Sequence, residues 1–209
     1  MKNLFMYVLF SVLIISGCTT SGAAVQTAKY DVKKYEYNKS DRYALFLVKT
    51  ESYTTDGGIY HKKYIDQLYG TVRLLMDEKQ IVPVEGSVGF YYDDKKSKTN
   101  FYLGMDILCS ESIVKNDGSY EENGRIAMQT YLKAVLEVIG SCVEIFDEEK
   151  IEGAVTGLVW KRNGKNELIN VWASKNDIRL FLNNGLTLRG FIYRCIVTDS
   201  DGKIIRLTI

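Results

Sequence analysis

Residues 153–174 read GAVTGLVWKRNGKNELINVWAS, and their reading decides the fold class. Asn163-Gly164 suits the centre of a two-residue type I′ turn, because both central positions need positive φ and these residue types tolerate it. A turn of that length fixes the strand register, which places Trp160 opposite Glu167 and Leu158 opposite Ile169. Side chains alternate between the faces of a strand. Ala154, Leu158, Trp160, Ile169 and Val171 therefore share one face, while Val159, Lys161, Asn166, Leu168, Asn170 and Trp172 share the other. The first set is core material. The second is mixed.

Outward from this hairpin, most apolar runs after Asp41 are short, rich in Tyr, Val, Ile and Phe, and separated by Gly, Asn and Asp, which is a strand signature. A second hairpin is predicted around Asp201-Gly202, with Thr198 opposite Ile205 and with Ile196, Ile205, Leu207 and Ile209 on one face. Residues 84–107 and 151–174 resemble each other in an aliphatic-Glu-Gly start, a hairpin-like body and a polar turn. That likeness reads either as an internal duplication or as two hairpins sharing common turn chemistry.

Residues 124–146 predict a helix, with Met128, Tyr131, Leu132, Val135, Val138, Ile139 and Cys142 on one stripe and Gln129, Lys133 and Glu137 opposite. Two segments are ambiguous. Residues 60–79 have helical spacing at Ile65, Leu68, Val72 and Leu75, but Gly70 and Thr71-Val72 suit a strand. Residues 174–184 offer a Ser174 cap with Asp177 three later and Gly185 at the end. They also alternate at Ile178, Leu180 and Leu182, and strand is the reading preferred. The expected fold class is α+β: a mostly antiparallel β-sheet of hairpins with one long amphipathic helix packed on it.

The N-terminus carries an address. Lys2 precedes the apolar run LFMYVLFSVLII at residues 4–15, an n-region and h-region of a secretory signal. Twelve or so residues are about 18 Å of helix, too short for a hydrocarbon core about 30 Å thick. The following Ile15-Ser16-Gly17-Cys18 resembles the lipobox of bacterial lipoproteins: an aliphatic residue, a small one, Gly or Ala, then Cys. The resemblance covers residues 1–18 and implies cleavage after Gly17, diacylglycerol on Cys18 and acylation, such as palmitate, of its new amino group. Two or three acyl chains make such an attachment effectively permanent. Thr19, where retained Gram-negative lipoproteins have Asp, favours the outer membrane in a two-membrane cell. The expected organisation is a signal peptide at 1–17, the lipidated Cys18 and a flexible tether at 18–40, and a single α+β domain at 41–209.

Removing residues 1–17 takes one lysine and no acid from 27 basic and 26 acidic residues, so the mature chain is formally neutral. A neutral, interspersed balance argues against nucleic acid, which needs a concentrated basic surface. Lys33-Lys34, His61-Lys62-Lys63 and Lys95-Lys96 read as solvated turns. Cys109, Cys142 and Cys195 sit among apolar neighbours and read as buried free thiols. One disulfide between two of them is the other reading.

Familiar catalytic motifs are missing. The single histidine, His61, lies in a charged run and reads as a surface residue, and no G-x-S-x-G, G-x-G-x-x-G or Walker A pattern occurs. No cofactor or metal is expected, since Asp199-Ser200-Asp201-Gly202 lacks the later ligands of a calcium loop. Asp93-Asp94, Asp147-Glu148-Glu149 and Asp199/Asp201 read as turn formers, although two acids suffice for a glycosidase. The fifteen tyrosines and two tryptophans point elsewhere. Tyr91, Tyr92, Tyr102 and Trp172 are the candidate partner-binding aromatics, since such rings combine contact area with a polar edge. The expected function is a non-catalytic, membrane-anchored envelope lipoprotein that binds or assembles with a protein or glycan. A cell-wall glycan hydrolase using a carboxylate pair and a structural subunit of an envelope complex are the alternatives.

Overall fold

The computed structural model describes residues 28–54, 56–92, 100–115 and 117–207. The expected signal peptide, Cys18 and the first part of the tether lie outside the described residues, as do Asp93-Asp94, Lys95-Lys96 and Ile209. The architecture is mixed α/β, a five-stranded, mostly antiparallel sheet with several helices. Strands β1 (Gly89–Tyr91), β2 (Phe101–Leu108), β3 (Ile151–Arg162), β4 (Lys165–Ser174) and β5 (Ile196–Asp199) lie in sequence order. Each neighbouring pair is antiparallel except β2 and β3, which run parallel. A parallel pair needs a long return connection. Here residues 109–150 supply it through three helices.

The central hairpin has the register that its turn dictates, Trp160 against Glu167 and Leu158 against Ile169. Asn163 and Gly164 both have positive φ, 51° and 73°. Ala154, Leu158, Trp160, Ile169 and Val171 are all buried in the core. Trp160 also donates from Nε1 to Glu167 Oε2 at 2.8 Å, which satisfies the one polar atom that burial would otherwise strand.

The last turn differs from expectation by one residue. Thr198 bridges Ile204, not Ile205, and Gly202 takes φ 74° after a wider turn in which Asp199 Oδ1 accepts from Asp201 N and Lys203 N. The extra residue changes the face. Val197 is buried and Ile205 and Leu207 pack on the core, while Ile196 points away from it.

The single long helix of the sequence reading is replaced by several helices. Helices α1 (Gly57–Lys63) and α2 (Ile65–Arg73), followed by a π turn at Leu74–Glu78, occupy the ambiguous segment 60–79. Gly70 is compatible with α2 because a Cβ there would stand 1.9 Å from the carbonyl oxygen of Val32. The residue is small to let the N-terminal segment dock, not to break a helix. That segment is correspondingly more ordered than a tether: Val32 is buried, Tyr35 lies 4.3 Å under the Arg73 guanidinium, and Tyr37 meets Tyr69 edge-on at 5.8 Å.

After β2, helix α3 (Tyr120–Ala127) passes through a π segment at Met128–Leu132 into α4 (Lys133–Ile139), with α5 (Val143–Asp147) after it. The start falls earlier than expected because Ser119 Oγ accepts from Glu122 N at 3.1 Å, a local cap that precedes the apolar stripe. The stripe itself, from Met128 to Cys142, is fully core-facing.

Residues 175–182 form helix α6 (Lys175–Leu182), not a strand. Ser174 caps it by accepting from Asp177 N at 3.1 Å, and Gly185 N donates to Leu180 O at 2.7 Å. Ile178 and Phe181, three apart, are buried, whereas Leu180 is exposed. The capping pair and helical spacing prevail over the alternation. Helix α7 (Leu188–Arg194) then leads into β5.

Candidate functional site

The two faces of the sheet differ. On β2, Phe101, Leu103, Met105 and Ile107 join the contiguous helix-packed core, and Tyr102, Gly104, Asp106 and Leu108 point the other way. None of the apolar side chains on this second face belongs to that core. Tyr102 and Val155 are buried yet outside it, and Leu108 and Ile196 are 49% and 37% exposed.

Strand pairing arranges the second face in transverse rows, about 6.6 Å apart because alternate residues share a face. One row runs Tyr91, Tyr102, Gly153, Ser174. The next runs Gly89, Gly104, Val155, Trp172, Ile196, and the third Asp106, Gly157, Asn170, Thr198. Tyr102 and Trp172 meet edge-on, with ring centroids 5.1 Å apart and planes at 88°. Tyr102 Oη donates to Glu152 Oε2 at 3.0 Å, and Trp172 Nε1 to Thr198 Oγ1 at 3.4 Å. Tyr91 lies over Gly104, where a Cβ would come within 2.3 Å of its ring, and donates from Oη to Ser87 O at 2.5 Å.

Of the four aromatics singled out in the sequence, Tyr91, Tyr102 and Trp172 are brought together. Tyr92 is not, because the strand alternation turns it to the core side, where it packs half-buried. Sequence reasoning set Asn170 on this face but missed Asp106, which shares its row. Asp106 leans over Gly157, its Oδ1 2.0 Å from where a Cβ on that glycine would stand. Burial pushes its carboxyl above the usual carboxylate range, and no ion pair to it is formed among the described residues. The available signal was its place in PheTyrLeuGlyMetAspIleLeu, a polar residue in phase with Tyr102.

Among the described residues, the acids Asp147, Glu148 and Asp199 are engaged in structural contacts. Asp147 pairs with Arg179 at 2.7 Å, Glu148 with Lys63 and Tyr64, and Asp199 closes its turn. The hydrogen bond from Lys63, with that from Tyr64, holds the Glu148 carboxyl below its ordinary range. Lys33 and Lys34 are exposed as expected. His61 corrects its expectation: it is 1% exposed, and its Nδ1 lies 3.1 Å from Tyr53 Oη. Tyr53 Oη also accepts from Phe90 N at 2.9 Å, so the one hydroxyl links the His61 ring to the backbone of β1. Desolvation lowers the His61 pKa to about 4.

Cys109, Cys142 and Cys195 are unpaired thiols, and burial raises each to about 12. Such thiols are inert as nucleophiles. Among the described residues, no group of three or more His, Cys, Asp or Glu side chains could hold a metal ion, and no helix is long and apolar enough to cross a membrane. No protein-family model, curated protein or solved structure matches this chain.

Proposed function

We propose that this chain is a lipid-anchored envelope protein, non-catalytic, whose second sheet face binds or assembles with a partner beside the membrane. The observation that carries the reading is the Tyr102–Trp172 ring pair on a sheet face whose apolar side chains stand outside the core. A sheet usually buries an apolar face, and rings left outside the core are disproportionately those that partners contact. Cys18, by its resemblance to a lipobox, provides the membrane attachment, with the outer membrane favoured in a two-membrane cell. The neutral domain then needs no bilayer affinity of its own.

The test uses tagged full-length protein expressed in a lipoprotein-processing bacterium. Cross-linking in intact cells should recover a discrete partner from wild type and at least about tenfold less from Trp172→Ala. Equal recovery with both would overturn the role of this face. Metabolic labelling with radioactive palmitate should mark wild type and not Cys18→Ser; a labelled mutant would overturn the anchor.

A further inference from the structure

We infer that the second sheet face recognises a neutral glycan, with Asp106 and Asn170 taking the hydroxyls of a sugar laid beside Trp172. This deepens the reading of that face as a binding surface and rests on it. Asp106 and Asn170 occupy one transverse row, separated by the single residue Gly157. Strands are about 4.8 Å apart, so the two backbones are about 10 Å apart. The missing side chain at Gly157 leaves the space into which the Asp106 carboxylate leans. Neither polar side chain is hydrogen-bonded to any described residue, and both are half-buried. Thr198, at the end of the row, is already engaged by Trp172 Nε1.

An acceptor that is half-withdrawn from water gains from a donor that a ligand brings. Asp106 offers acceptor oxygens only, and Asn170 offers both an acceptor and donors. A sugar presents hydroxyls that match both, and its C–H face packs on an aromatic ring. Trp172 stands one row away on the same strand as Asn170, two residues along, a separation of about 6.6 Å. A cationic protein segment matches the face less well, because Lys161 projects from it two rows beyond Gly157.

The experiment titrates full-length protein in detergent micelles with chitotetraose, cellotetraose and maltotetraose, followed by saturation-transfer NMR and calorimetry. At least one tetrasaccharide should bind with a Kd below about 10 mM. Asp106→Leu and Asn170→Ala should each weaken it by about tenfold or more, while Asp106→Asn, which keeps an acceptor oxygen, should retain most of the affinity. Thermal melting of each variant separates lost binding from lost fold, and a variant that melts early is replaced by Asn170→Leu or Asp106→Val. Absence of binding by all three sugars, or binding indifferent to both positions, overturns the inference. If the sugars fail while Trp172→Ala still abolishes a cellular cross-link, the glycan is wrong and the binding face stands. If Trp172→Ala changes neither, both readings fall.

Discussion

The carbonyl oxygen of Val32 lies 1.9 Å from the point where a Cβ on Gly70 would stand, in the middle of helix α2. The N-terminal segment thus contacts the backbone of a buried helix directly, a closeness that only glycine permits.

Gly70→Ala should therefore destabilise the protein by about 2 kcal/mol, although the same exchange in an exposed helix interior gains up to about 1 kcal/mol. The obstacle is backbone, which cannot rotate away. Urea unfolding monitored by circular dichroism gives the sign, and proteolysis between residues 30 and 40 should accelerate in parallel.

Stability should fall as pH is lowered from about 6.5 towards 4. The unfolded chain binds a proton at His61 below about 6.5, whereas the folded chain refuses it until about 4, so acid favours unfolding across that window. The slope should approach 1.36 kcal/mol per pH unit, at most, for one proton. Unfolding free energies of wild type and His61→Gln at several pH values between 5 and 6.5 should diverge in slope; parallel lines would contradict the burial of a neutral imidazole.

The two tryptophans should separate cleanly. Trp160→Ala removes a buried ring and its hydrogen bond to Glu167 and should cost about 3–5 kcal/mol. Trp172→Ala, outside the core, should cost about 1 kcal/mol while removing partner capture. Paired denaturation curves check both.

Ser174→Ala should cost about 1 kcal/mol by leaving the Asp177 amide without its acceptor at the start of α6. A drop of a few degrees in Tm is expected for a chain of this size. An unchanged Tm would mean that the cap contributes nothing.

Gly157→Ala should keep the fold and move Asp106. The new methyl displaces the end of a flexible side chain, so the cost should stay near 1 kcal/mol. NMR titration of the Asp106 carboxyl should show its raised pKa returning towards the ordinary carboxylate value as it swings into water.

What was legible in the sequence was local. Asn163-Gly164 specified a turn, the turn specified a register, and the register sorted Trp160 from Trp172, all within twenty-two residues of chain. The helical stripe from Met128 to Cys142 was equally local, and so was the cap at Ser174, which outweighed the alternation of residues 178–182. The tertiary structure decided the rest, because it depends on contacts between distant segments. Gly70 argued against a helix until Val32, thirty-eight residues earlier, filled the space beside it. His61 looked solvated among lysines until α1 turned it onto Tyr53. Asp106 and Asn170 became neighbours only when β2 and β3 ran parallel, a pairing that three intervening helices made possible and that no local pattern encodes. Burial is a property of the assembled layers, and the face left outside the core is known only once they are stacked.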